Sequence, residues 1–489
     1  MTIFGKRNGN GGTVPGPEDT EYTGRYIVLL PEGTTEQGMR SLQKAVGVKA
    51  TVVRGDRPED QPDVHTENVI FSDIGAAVVQ MDPDQLRSLS VADEKGGMPF
   101  LAVEPERVVR AIGVEPGSNG FGTSLPMPLW SETALSSGAL TPVQQGGAFA
   151  LEGQPPMGMP LAEAASQDVT AAYLRGYRDS VVELVDRLLA DGGLSVRESI
   201  APQPRGWNES EATWGLQATG VAASRMTGRG VKVAVLDTGF GPHRDFGGRN
   251  FLTASFIQGQ LVADGQGHGT HCVGVSCGFR PATKVPRYGV AYEADILVGK
   301  VLSNEGSGAD GGILAGINWA VAQGAQLISM SLGAGTRPGD TYSQVYEGVA
   351  RRALLRGTLI IAAAGNESRR PSVIRPVGHP ANCPSIVAVA ALDSALQVAW
   401  FSCGAVNPNG GEVNIAAPGV DVYSSVPLPP FYRRLSGTSM ATPHVAGIAA
   451  LFAQATNKNG LALWQAMARA VKRLPLNASD VGLGLVQAP

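Results

Sequence analysis

Four polar residues stand beside glycines where apolar runs end or begin: Asp237 in VAVLDTG, His268 in GQGHGTHCVG, Asn366 in AAAGNES and Ser439 in SGTSMATPHVAG. A serine hydroxyl is a weak nucleophile unless a base lies within hydrogen-bond reach and a third group orients that base. Here Asp237 offers a carboxylate, His268 a base, and Asn366 a neutral amide able to donate to a developing oxyanion. Taken singly, each motif has an ordinary alternative: an aspartate capping a helix, a strand end with its turn, a capping Gly-Thr-Ser loop. Their joint occurrence in the order Asp237, His268, Asn366, Ser439 favours nucleophilic catalysis over packing. The stretch HGTH also sets His268 and His271 three apart, but with no third ligand nearby and no acidic residue between them the pair does not read as a metal site.

Such groups need a rigid frame, and residues 213–489 supply one. VKVAVLD, ADILVGKVL, AQLISMSLG, TLIIAAAGN and SIVAVAAL are apolar, β-branched runs, interleaved with helical stretches such as GGILAGINWAVAQ and YSQVYEGVARRALLRG. The alternation predicts an α/β domain, a parallel sheet flanked by helices on both faces, in which ligands bind beyond the carboxyl ends of the strands. Ser439 is expected to open a helix, with Pro443 in its first turn. Residues 24–112 read as a smaller unit. Strands RYIVLL, ATVVRG, GAAVVQM and FLAVEPERVV, a helix with Met39, Leu42 and Val46 on one face, and a short helix after Pro83 predict a ferredoxin-like α+β sandwich. Between the two, 113–212 is a Gly/Pro-rich connector with one amphipathic helix, marked by Val169, Tyr173, Tyr177, Val181, Val185 and Leu188. Residues 1–23 read as a disordered N-terminus.

The chain of 489 residues is 43% hydrophobic and 17% charged with a formal net charge of −4, a globular composition long enough for more than one domain. Its Lys and Arg residues are dispersed, so neither nucleic acid nor an anionic membrane is an expected partner. No run approaches the roughly 18 apolar residues of a membrane span, and the N-terminus lacks the apolar core of a secretory signal. A soluble monomer is expected, with its compartment open between cytoplasm and export by a non-standard route. Cys272, Cys277, Cys383 and Cys403 show no Cys-x-x-Cys pairing and read mainly as buried thiols, a bridge between Cys383 and Cys403 being left open.

VAVLDTG, HGTHCVG, SMSLG, AAAGN and GTSMATPHVAG resemble, in the same order, the blocks of the subtilisin-like serine proteases, over roughly residues 213–489. The resemblance implies a serine endopeptidase acting on polypeptides, with Asp237, His268 and Ser439 as its triad and Asn366 as oxyanion donor. It makes His271 structural and Met440 an oxidation-sensitive neighbour of the nucleophile, and it places Cys272 with a thiol-containing branch. It also makes Gly306, Ser307, Gly308 and Ser331, Leu332, Gly333 two edge segments that pair with an extended peptide, and Gly378 the floor of a deep apolar specificity pocket.

YIVLL, GAAVV and VEPERVV are similar to the family's inhibitory pro-domain. They imply a self-processing zymogen whose own pro-domain is an intramolecular inhibitor, with the strand ending in VEPERVVRAIG lying in the cleft. The first cut is then expected near Val109 to Val114, or alternatively between Ser195 and Trp214, because the connector 113–212 departs from the family's usual direct junction. The stretch SCGFRPATKVPRYGVA lacks the Asn-rich loop that binds calcium in secreted relatives, so a structural calcium has no assigned ligand; no metal and no cofactor is assigned. Two other readings are a dedicated maturation protease for a specific precursor peptide and a catalytically silent peptide-binding module. The second requires a missing triad member, and none is missing.

Overall fold

The apolar runs of the N-terminal region are continuous rather than alternating, and a sheet needs cover on both faces when both sets of side chains are apolar. In the computed structural model, which describes residues 20–32, 35–56, 63–82, 84–86, 100–112, 206–249, 251–278, 285–427 and 430–489, that cover comes from two different sources. Strands β1 (Tyr22–Leu29), β2 (Thr51–Val53), β3 (Val69–Phe71), β4 (Ala76–Val79) and β5 (Ala102–Ala111) lie in the order β5-β1-β4-β3-β2, with helix α1 (Thr35–Val46) following β1. Val28, Leu30, Ile70, Ala77 and Val79 pack with Met39 and Leu42 of α1. The alternate residues Ile27, Leu29, Phe71, Ala76 and Val78 join the core of the larger domain instead.

The larger domain contains a second sheet. Its strands β6 (Lys232–Asp237), β7 (Phe251–Ser255), β8 (Asp295–Lys300), β10 (Leu327–Met330), β12 (Leu359–Ala363), β13 (Val387–Leu392) and β14 (Ile415–Pro418) run parallel in the order β14-β13-β12-β10-β6-β8-β7. Short helix α2 (Trp214–Ala218) precedes it. Helix α3 (His268–Cys277) covers one face, and strand β9 (Ser307–Ala309) leads into α4 (Asp310–Ala322) on the other. Strand β11 (Leu332–Gly333) and α5 (Gln344–Leu355) follow, and after the hairpin β15 (Val422–Ser425) and β16 (Tyr432–Leu435) come α6 (Thr438–Thr456) and α7 (Gly460–Arg469). Alternate residues separate the two cores: Val233, Val235, Val298 and Ile361 pack with Val273 of α3 and Val445 of α6. Ala234, Leu236, Leu297 and Ile360 pack with Ile313 of α4 and Val349 of α5. Truncating one such side chain, for instance Leu236→Ala, costs about 2–5 kcal/mol.

Helices α4 and α5 therefore lie between two sheets, and their N-termini receive carboxylates from β5. Glu106 Oε1 accepts from Gly311 N at 2.9 Å, and Glu104 Oε1 from Gln344 N at 2.6 Å and Val345 N at 3.3 Å. Both satisfy donors that a helix start leaves without partners, at the positive end of its dipole.

The chain divides into two compact units, one of Met1–Met127 with Pro204–Pro489 and one of Pro128–Gln203. The second unit, with the expected amphipathic helix, lies outside the described residues. So do residues 1–19, 279–284 of the loop after α3, and residues 87–89 of the short helix expected after Pro83. Strand β1 begins at Tyr22, inside the stretch read as N-terminal tail, and residues 206–212, read as connector, are seated. Trp207 Nε1 donates to Ser394 O at 2.8 Å, and its ring lies 6.5 Å from that of Trp214. No helix among the described residues is long and apolar enough to cross a membrane.

Candidate active site

Two strand ends and two helix starts converge. Asp237 is the last residue of β6, and Asn366 follows the end of β12 by three residues; His268 opens α3 and Ser439 is the second residue of α6. Asp237, His268 and Ser439 are all buried. Glycine permits the crowding: a Cβ on Gly269 would come within 2.4 Å of Gly239 O, and one on Gly437 within 3.0 Å of Asn366 Nδ2 and Ile112 O.

His268 Nδ1 lies 2.8 Å from Asp237 Oδ1, which also accepts from Thr238 N at 2.7 Å. Burial opposes a charge on His268, but the Asp237 carboxylate outweighs it and holds the imidazole well above its ordinary pKa. His268 Nε2 and Asp237 Oδ2 are buried without a hydrogen-bond partner. The Ser439 hydroxyl is turned to the carbonyl of Ile112, to which it donates, and lies 3.2 Å from Ser331 O. Asn366 Nδ2 donates to the same Ile112 oxygen at 3.2 Å, while Asn366 Oδ1 accepts from Thr438 N and Oγ1, both at 2.9 Å.

The edge segments are brought together as well. β5 runs antiparallel between β9 and β11, with Val109 opposite Gly308, Arg110 opposite both Ser307 and Gly333, and Ala111 opposite Leu332. Ala111 N donates to Gly306 O at 2.8 Å and Ile112 N to Ser331 O at 3.4 Å. The Ile112 side chain reaches Gly333, where an added Cβ would meet its Cδ1 at 2.9 Å. Gly378 lies against Ala334 and Ala364: its N–H donates to Ala364 O at 2.9 Å, and a Cβ there would come 2.8 Å from Ala334 O.

Three neighbours differ in kind. His271 Nε2 bonds the carbonyls of Val422 and Arg433 at 3.0 and 3.2 Å, tying α3 to the β15–β16 hairpin, and burial lowers its pKa to about 3, so it stays neutral. Met440 is buried directly after Ser439. Cys272 Sγ lies 3.9 Å from His268 Nδ1. Asp237, His268 and Cys272 thus bring one donor atom each within 4.8 Å of one another, but His268 Nδ1 already bonds Asp237 and burial pushes the Cys272 thiol up, away from the thiolate a metal requires.

One question left open is closed, and one expectation needs correction. All four cysteines are free: Cys383 Sγ donates to Ser343 O and Cys403 Sγ to Glu367 Oε2, so the Cys383–Cys403 bridge is not formed. Pro443 is the sixth residue of α6, not in its first turn. A proline there deprives the carbonyl four residues earlier, that of Ser439, of its N–H. That carbonyl is instead satisfied by Ser331 Oγ at 2.8 Å and Cys272 Sγ at 3.6 Å. Sequence reasoning also missed Asp264 and Lys300, both buried near Asp237; a carboxylate four residues before a helix start was the signal available for the first.

Residues 228–483 match the family model described as "Subtilase family". Among similar proteins, Subtilisin DY of Bacillus licheniformis is 39% identical over 241 residues, which is 48% of this chain and 81% of that protein. The Intracellular serine protease of Paenibacillus polymyxa is 40% identical over 240 residues, 48% of this chain and 70% of its own. Subtilisin E of Bacillus subtilis (strain 168) is 39% identical over 239 residues, 48% of this chain and 58% of its own.

Proposed function

The chain belongs to the subtilase family and is a serine-type endopeptidase acting on polypeptides, and from that premise we propose that Asp237, His268 and Ser439 are its triad, Asn366 its oxyanion donor, and the Ile112–Gly113 bond its first substrate. The observation that carries this reading is the Ile112 carbonyl, held between Ser439 Oγ and Asn366 Nδ2 at the end of a strand paired on both edges. His268 Nε2 takes the Ser439 proton as Oγ attacks the Ile112 carbonyl carbon. Asn366 Nδ2 and the Ser439 N–H at the start of α6 receive the oxyanion. The Ile112–Gly113 bond then breaks, His268 returns the proton to the Gly113 nitrogen, and water releases Ile112 from the serine.

The order β5-β1-β4-β3, with α1 after β1, supports reading residues 24–112 as a ferredoxin-like pro-domain, and the shared core with α4 and α5 supports its role as intramolecular inhibitor. Once cut, β5 stays in the cleft as a product-like strand. Ile112 lies inside the expected interval Val109 to Val114. The seated segment from Trp207 argues against a first cut immediately before Trp214.

The test is the Ser439→Ala chain, purified from a host lacking related proteases. It should remain at 50.7 kDa, while the parent yields a mature chain whose first N-terminus is Gly113 and whose Ser439 takes a fluorophosphonate label. Cleavage of Ser439→Ala at the same bond would assign the cut to another protease.

A further inference from the structure

Lys300 is completely buried, and among the described residues no carboxylate forms a direct salt bridge with it. It ends β8 in register with Asp237 at the end of β6, and its Nζ donates to Thr238 O and, at 2.9 Å, to Asn304 Oδ1. An ammonium held by neutral acceptors alone is expensive to bury, so a charge must balance it. Burial depresses Lys300, and the nearby Asp264 and Asp237 carboxylates act in the opposite direction.

Asp264, also buried, organises the other side. Its Oδ1 accepts from Thr238 Oγ1 at 2.9 Å, Gly267 N at 2.7 Å and Gln266 N at 3.1 Å, and its Oδ2 from Thr270 N at 2.8 Å and Thr270 Oγ1 at 2.6 Å. Thr238 Oγ1 in turn accepts from Gly269 N at 2.8 Å. Thr238 is thus the joint between the strand that carries Asp237 and the helix that carries His268, gripped by Lys300 on its carbonyl and Asp264 on its hydroxyl.

We propose that Lys300 and Asp264 are positioning residues for the Asp237–His268 pair, fixing the two elements on Thr238 and setting, by their opposite charges, the cost of placing a proton on His268. Counting formal charges, Asp237, Asp264 and Lys300 sum to −1 with a neutral imidazole, and the imidazolium formed in the reaction brings the buried group to zero. The other titratable groups around the pair carry no charge: the Cys272 thiol is pushed up by burial, and His271 and His444 are lowered to about 3 and about 4 by burial. Ser331 and Ser439 face it as neutral hydroxyls, and Glu305, fully exposed, lies beyond Asn304. The proposal rests on the triad reading above.

The test is the pH profile of kcat/KM for the processed enzyme on a chromogenic peptide, normalised to active sites counted with a fluorophosphonate. Lys300→Met removes a cation, makes the imidazole easier to protonate, and should move the acidic limb up by about 0.5–1 pH unit; Asp264→Asn should move it down by a similar amount. The double variant should return it toward the parent. A merely structural role lowers the number of active sites without this opposition of sign. Limbs that stay in place, or that move in the same direction, would overturn the proposal. If Asp264→Asn does not yield processed enzyme, Lys300→Gln, which keeps a donor for Thr238 O, must reproduce the upward shift. A parent that fails to label at Ser439 would overturn the triad itself; a labelled parent with unmoved limbs overturns only the roles of Lys300 and Asp264.

Discussion

Asn366 serves two masters with its two ends. Its Nδ2 donates to the Ile112 oxygen, while its Oδ1 takes both donors of Thr438 and so anchors the first turn of α6. The amide is held in one orientation by that second task, which is what a preorganised donor requires. Asn366→Ala should lower kcat by about 10²–10³, the loss known for one oxyanion donor in subtilisin itself, with KM little changed. Steady-state kinetics per active site checks it, and a loss confined to KM would remove Asn366 from the oxyanion site.

At the scale of elements, the helix starts do most of the positioning. Gly267 turns the chain left-handed into α3 with φ 97°, and Pro443 in α6 diverts the Ser439 carbonyl to Ser331 and Cys272. The starts of α4 and α5 hold β5 through Glu106 and Glu104. A charged acceptor on two helix-terminal N–H groups is worth on the order of 1.5 kcal/mol, so Glu104→Ala should weaken retention of the cut N-terminal unit about tenfold. The lag between self-cleavage and full activity on an added peptide should shorten accordingly. An unchanged lag would show that Glu104 does not hold the unit.

Across the whole molecule, one continuous apolar cluster joins Phe71, Val78 and Val109 to Ile313 and Tyr346, so separation of the N-terminal unit exposes apolar surface on both sides. That is why cleavage alone should not release it. Stability should also depend on pH through buried imidazoles. His444, its Nδ1 2.8 Å from Met440 O, is lowered to about 4 mainly by burial, below the ordinary 6.5. Between those values the unfolded chain binds a proton that the folded chain refuses. The contribution is therefore complete above pH 6.5 and is lost as pH falls toward 4, the loss reaching about 2 kcal/mol by pH 5. In the Ser439→Ala background, which avoids self-digestion, Tm should fall over this interval, and His444→Gln should flatten the fall. An equally steep curve in both would sink the assignment.

The continuous apolar runs VKVAVLD and TLIIAAAGN, bounded by glycines, marked strands with two buried faces, and the polar residues Asp237 and Asn366 stood out in the sequence just past their apolar stretches. β7, β14 and the β15–β16 hairpin escaped such reading: FLTAS alternates weakly at a sheet edge, IAAP ends in proline, and YRRL carries two arginines. Side-chain periodicity encodes which face of a strand is apolar, but backbone edges are alike in every sequence, so pairing partners are chosen by what else folds nearby. Only the tertiary structure seats β5 between segments some 200 residues away, brings Ile112 rather than a neighbour to Ser439, and sets the lone ammonium of Lys300 beside Asp237. Those placements depend on contacts between distant elements, which no local pattern contains.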